Sequence, residues 1–162
     1  MNVAGRPMRT IWLAADGRAV EIIDQRRLPH ELVIARLAAL DAAARAISDM
    51  AIRGAPLIGA TAAYGVALAM QADPADAALA RSIELLAATR PTAVNLRWAL
   101  DDMRCVLAPL PPPRRRDAAF VRAAEIADED AAINRGIGKH GLPLIEAARR
   151  RHPDRPVDIL TH

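Results

Sequence analysis

Cysteine, lysine and aromatic residues are almost missing from this chain of 162 residues. Cys105 is the single cysteine, which excludes an intrachain disulfide and fits a reducing compartment. Flanked by Val106 and Leu107, with no partner to lower its pKa, it reads as a small core residue rather than a nucleophile. Aromatics make up 2% of the chain against 52% hydrophobic residues, so the core has to come from Ala, Leu, Ile and Val. Small side chains of that kind favour closely packed helices. Lys139 is the only lysine, so the net charge of +3 is carried by scattered arginines. With little aromatic surface for stacking bases, the charge suits small anionic substrates better than nucleic acid.

Long apolar runs are scarce too. None follows the two arginines in Met1 to Arg9, so no secretory signal is expected. The most apolar stretch, Leu57 to Met70, is interrupted by Gly59, Thr61, Tyr64 and Gly65 and is too short to span a bilayer. The expectation is a soluble cytoplasmic chain with no membrane partner, holding one domain or one domain and the beginning of another.

Two short strands are predicted over Thr10 to Leu13 and Ala19 to Ile23, joined by a turn around Asp16-Gly17. The Leu32-Val33-Ile34 run suits a third strand to about Ala38, followed by a helix from about Asp41 to Met50. A helix from Pro56 to about Gln71 is apolar all round, which indicates burial, and Gly65 inside it points to close packing. Tyr64 reads as a core tyrosine. Asp73-Pro74 is expected to open a helix over Ala75 to Thr89, with Asp73 as its cap and Pro74 at its first position. Pro91 is expected to open the next, which runs to about Leu107.

The segment Ala108 to Pro113 is the clearest break in the chain. Arg114-Arg115-Arg116 after it reads as a solvated run, with a patch for an anionic partner as the other reading. Helices follow over about Asp117 to Ile133 and Pro143 to Arg151, and a strand over Val157 to Leu160. The acidic residues Glu125, Asp128, Glu129 and Asp130 have no histidine at ligand spacing, so they read as a solvated helix face and no metal is expected. The glycines of Gly136-Ile137-Gly138-Lys139-His140-Gly141 match a dinucleotide signature, but they follow a helix instead of a strand, so no dinucleotide cofactor is expected. His140 and His152 read as structural or exposed.

One arrangement occurs twice. Arg53-Gly54-Ala55-Pro56 and Arg90-Pro91-Thr92 each place an arginine ahead of a proline that can open a helix. Free amides and the positive end of the helix dipole favour an anion there. A guanidinium adds a planar fork matched to phosphate or carboxylate. Two such arginines could clamp one anionic ligand. Spacing alone equally fits prolines that simply begin helices, next to arginines that are solvated or paired.

The residues Met50 to Gly59, Ala62 to Val66, Thr89 to Leu96, Trp98 to Leu100, Glu129-Asp130, Asn134, Ile137-Gly138, His140-Gly141 and Ile159 to His162 resemble those of methylthioribose-1-phosphate isomerases. The wider family includes ribose-1,5-bisphosphate isomerases and regulatory subunits of a translation-initiation nucleotide-exchange factor. The resemblance implies an aldose-ketose isomerase of methionine salvage that is a homodimer at full length and needs no cofactor. It implies an α+β N-terminal domain, a small antiparallel sheet plus helices, leading into the first strand of a truncated Rossmann-like domain. On that basis residues 1–110 form the strand-plus-helix domain, 111–155 connecting helices and 156–162 that first strand. It also puts Arg53, Gly54, Ala55 and Arg90 at the substrate, making the anion corner the preferred reading.

The same resemblance expects a catalytic cysteine directly after the Thr161-His162 pair and an aspartate farther on, and Cys105 does not match that motif. No catalytic residue is therefore assigned, and the chain is expected to be an N-terminal fragment, inactive alone. A ribose-1,5-bisphosphate isomerase or a non-catalytic subunit of the same fold are the alternatives.

Overall fold

The computed structural model describes residues 2, 3 and 5 to 160. They divide into two compact units, residues 1–127 and 128–162. The first unit begins with a minimal antiparallel ladder of β1 (Asn2–Val3) and β2 (Arg6–Pro7). A three-stranded antiparallel sheet follows, ordered β3 (Ile11–Leu13), β4 (Val20–Ile23) and β5 (Ile34–Leu37). The β3–β4 hairpin turns at Asp16-Gly17 as its sequence predicts. Gly17 takes a φ of 66°, and the Asp16 carboxylate accepts the Arg18 amide at 3.0 Å.

Register sorts the two faces of this sheet. Ile11 opposes Ile22, and Val20 opposes Leu37, and these four side chains join the core cluster with the helices. On the other face Trp12 opposes Glu21 and donates its indole N–H to it at 2.7 Å, and Glu21 opposes Arg36. The third strand, ambiguous by periodicity, forms because β4 offers it an edge.

Four helices, with the first part of a fifth that contributes Ala119, Ala123, Ile126 and Ala127, make up the rest of the first unit's core. The four are α1 (Leu40–Ser48), α2 (Ala55–Ala72), α3 (Asp76–Thr89) and α4 (Val94–Leu107). Every residue of α2 from Ile58 to Met70 is buried, so it forms the axis that the others cover. At 18 residues α2 is long and apolar enough to cross a membrane, so the shortness expected from Leu57 to Met70 does not hold. What marks it as a core helix is that 72% of it is buried inside the fold. Two glycines on opposite sides of α2 let its neighbours approach. A Cβ on Gly65 would stand 3.1 Å from Leu86 on α3 and 3.2 Å from Ala43 on α1. One on Gly59 would stand 2.8 Å from the Asn95 carbonyl oxygen of α4.

Both proline-led helix starts come later than their sequences predict. Asp73 caps the end of α2, and its carboxylate accepts the Ala75 amide at 3.0 Å, so α3 opens at Asp76. Pro91 occupies a turn closed by the Ala93 amide on the Arg90 carbonyl at 3.0 Å, and α4 opens at Val94. Proline's set φ suits the second position of such a turn as well as a helix start.

The arginine run after the break at residues 108–111 is only partly solvated. Arg114 and Arg116 are exposed, but Arg115 is buried. Its guanidinium donates to the carbonyls of Leu107, Leu110, Ala108 and Pro74 and to the Asp76 carboxylate at 2.5 Å. It thereby fastens the end of α4 to the start of α3. α5 (Pro112–Arg151) then runs as a single helix across both units. The glycine-bearing segment and Pro143, expected to separate two helices, lie inside it, because glycine and one proline lower helix stability without forbidding the conformation. The terminal strand expected over Val157 to Leu160 is not formed. Residues 156–160 carry no ladder, since residues 128–160 contain no second strand to pair with. Thr161 and His162 lie outside the described residues.

Candidate functional site

The Arg53 corner is built by what precedes it. α1 ends at Ser48, and two residues later Met50 takes a positive φ of 57°. Ala51 and Ile52 then turn inward and are buried. The Gln25 amide donates to the Ala51 carbonyl at 2.8 Å, and the Ile52 amide to the Ala46 carbonyl at 3.3 Å. With Ile52 plugged into the core, Arg53 is thrown outward and is exposed. Gly54 caps α2 with a φ of 96°, where a side chain is strained, although a Cβ there would meet nothing within 4 Å. Glycine is needed for its backbone and not for space. Ala55 and Pro56 are exposed at the first helical turn, where the amides of Ala55 and Leu57 have no intrahelical acceptor.

Arg90 is half-buried and ends α3 as its C-cap. The turn through Pro91 and Thr92 separates it from α4, whose cap, Ala93, makes no side-chain hydrogen bond. So Arg90 lies one turn ahead of its helix, whereas Arg53 immediately precedes the cap of its own. The contact of Gly59 with Asn95 and Ala99 sets the second turn of α2 against the first turns of α4. The beginnings of these two helices therefore lie side by side. Among the described residues, neither the Arg53 nor the Arg90 guanidinium has a hydrogen-bond or ion-pair partner. Arg26, Arg36, Arg115 and Arg122 are each paired to a carboxylate.

Other residues singled out by sequence fall elsewhere. Cys105 is exposed, not a core residue, because the buried stripe of α4 runs Leu96, Ala99, Leu100, Met103 and Leu107 and position 105 lies off it. Tyr64 is buried, as predicted. Asp102 is bound by Arg122 at 2.6 Å, and Arg122 also reaches Glu125 at 3.0 Å, so Glu125 is an ion-pair member and not merely part of a solvated face. His140 and His152 are exposed. A cleft of about 460 Å³, lined by residues such as Leu40, Leu68, Arg81 and Ser82, opens at the far end of α2. That helix is about 27 Å long, which keeps the cleft apart from the corner at Gly54.

Sequence reasoning missed Met50, Asn95 and Arg115. Met50 carries no local signal, since an αL methionine is set by its surroundings. The glycine at position 59 hints that something comes close, but not that it is Asn95. Nothing in an arginine triplet says that the middle one is buried.

Comparison with known proteins shows the family of the chain. The sequence pattern of the Initiation factor 2 subunit family matches residues 51–162, which include both arginine motifs. Over 162 residues the chain is 60% identical to the methylthioribose-1-phosphate isomerase of Paramagnetospirillum magneticum; it is covered completely and spans 44% of that relative. Among solved structures, 5-methylthioribose 1-phosphate isomerase from Pyrococcus horikoshii OT3 is 35% identical with a TM-score of 0.68, over 75% of this chain and 36% of that one. Translation initiation factor eIF-2B, subunit delta, from A. fulgidus is 32% identical with a TM-score of 0.77, over 85% of this chain and 42% of that one. With the family pattern spanning more than half of its residues, the chain belongs to the Initiation factor 2 subunit family.

Proposed function

We propose that this chain supplies the substrate-phosphate grip of an aldose-ketose isomerase that converts 5-methylthioribose 1-phosphate into 5-methylthioribulose 1-phosphate. The observation that carries the reading is that α2, led by Arg53-Gly54-Ala55, and α4, preceded by Arg90-Pro91-Thr92, begin side by side. It is supported by 60% identity to a relative of that name.

The reaction explains why a grip is needed. Phosphate on the anomeric oxygen blocks the ring opening open to a free aldose, so the substrate must be held while a proton or hydride passes between C2 and C1. Arg53 and Arg90 neutralise the phosphate, and the unpartnered amides at the start of α2 add donors where the helix dipole is positive. Gly54 allows the anion to approach the backbone without a Cβ between them. These groups supply fixed charge and hydrogen-bond donors but no proton acceptor, so Arg53, Gly54, Ala55 and Arg90 are assigned to binding. The same reading places the protein in methionine salvage, in the cytoplasm, as a homodimer at full length.

A second reading, a non-catalytic subunit of the same fold, draws support from the likeness to the eIF-2B delta structure. Calorimetric titration with 5-methylthioribose 1-phosphate separates the two. The isomerase reading expects binding that Arg53→Ala and Arg90→Ala each weaken by about 10-fold to 100-fold, the worth of charge-assisted hydrogen bonds of roughly 1.5–3 kcal/mol. Absence of binding by the unaltered chain, or a Kd unchanged in both variants, would leave the second reading standing.

A further inference from the structure

Among α1 to α4, two helices start without the negative charge that the other two carry. α1 and α3 have Asp41 and Asp76 in their first turns, where a carboxylate offsets the positive end of the helix dipole. α2 and α4 have no acidic residue there, and neither cap supplies a side-chain hydrogen bond. These are the two helices whose beginnings lie side by side. They also run in the same direction, since the short connections over residues 73–75 and 90–93 each reverse the chain. An anion between them would face two dipoles that no carboxylate of the first turns offsets.

We propose that Asn95 is a third side chain of this corner, its carboxamide donating to the phosphate that Arg53 and Arg90 neutralise; the inference rests on the sugar-phosphate reading given above. Asn95 is the second residue of α4 and is partly buried. Its carbonyl oxygen stands 2.8 Å from where a Gly59 Cβ would be, and the Cβ of Ala99, one turn further on, stands 3.4 Å from the same point. Positions 95 and 99 therefore share the face of α4 that is turned toward α2. Side chains lean toward the N-terminus of their helix, so the Asn95 carboxamide is carried from Gly59 toward Ala55, one turn earlier on the same face of α2. The Ala55 amide is one of the donors left without an intrahelical acceptor. Among the described residues, no group of this chain hydrogen-bonds the Asn95 side chain. The residue type suits the place. A carboxamide offers two N–H donors and, unlike an aspartate, brings no charge to compete with a phosphate for Arg53 and Arg90.

Calorimetric titration of three variants with 5-methylthioribose 1-phosphate tests this role. Asn95→Ala should weaken binding about 10-fold, the usual effect of losing one charge-assisted hydrogen bond. Asn95→Asp should weaken it about 100-fold, because it removes the donors and adds a charge of the phosphate's own sign. The same aspartate should leave the thermal midpoint unchanged or raise it, since a carboxylate in the first turn favours the helix. An asparagine with a purely structural role would instead lose stability and keep its affinity. Val94→Asp is the control. It adds an equal charge at the first residue of α4, on a side chain 79% exposed, and should weaken binding by no more than about 3-fold. An Asn95→Ala variant that binds as tightly as the unaltered chain, or equal losses in Asn95→Asp and Val94→Asp, overturns the proposal. If Arg53→Ala and Arg90→Ala weaken binding while both Asn95 variants do not, the corner stands and Asn95 is removed from it. If the unaltered chain binds no sugar phosphate, the corner itself falls, and Asn95 with it.

Discussion

At the scale of single residues, the arginines divide by environment in a way their sequence context conceals. Arg26 and Arg115 hold the fold together, whereas the Arg53 and Arg90 guanidiniums have no partner among the described residues. Asp24, buried at the end of β4, takes three hydrogen bonds from Arg26, through its backbone amide at 3.1 Å, Nε at 2.9 Å and Nη2 at 2.7 Å. The Arg26 side chain holds the Asp24 carboxyl below its ordinary value of 3.8, with burial opposing. A carboxylate whose folded pKa is depressed contributes stability above its unfolded value, and that contribution is lost as pH falls through the folded one. Thermal denaturation should therefore show stability declining below about pH 4. Asp24→Asn should cost about 1 kcal/mol at pH 7, a modest figure because Arg26 is half-exposed, and the difference from wild type should shrink in acid.

At the scale of elements, α2 explains why so few aromatics suffice. Its small side chains let three helices approach one axis, and its two glycines mark where approach is limiting. Gly59→Ala would press a methyl group against a backbone carbonyl that cannot swing aside. It should cost about 1–3 kcal/mol, partly offset by the better helix propensity of alanine. Gly65→Ala meets the movable end of Leu86 and should cost less. Denaturant midpoints that rank the two variants the other way would disprove this account. The same approach of α4 to Gly59 positions the candidate site, so Gly59→Ala should also weaken sugar-phosphate binding. The sequence flagged close packing along α2, but the partner at each glycine came from tertiary structure. In α5, by contrast, local signals misled. Three glycines and a proline read as a break, yet the helix continues through them.

At the scale of the whole molecule, stability should be uneven. The first unit has a contiguous core around α2, while residues 128–151 expose much of their apolar surface. Hydrogen exchange should find α2 amides protected to the global limit and those of residues 133–148 opening locally. Protection of both segments to the same degree would contradict this. The sequence by itself determined the hairpin, the third strand, the helices that became α1 to α4 and the two arginine motifs. These rest on turn residues, hydrophobic period and composition, which act between near neighbours along the chain. Only the tertiary structure decided that α2 and α4 begin side by side, that Arg115 is buried and Cys105 exposed, and that residues 156–160 carry no ladder. Each of those depends on which distant segment supplies a partner, and short-range pattern carries no record of that.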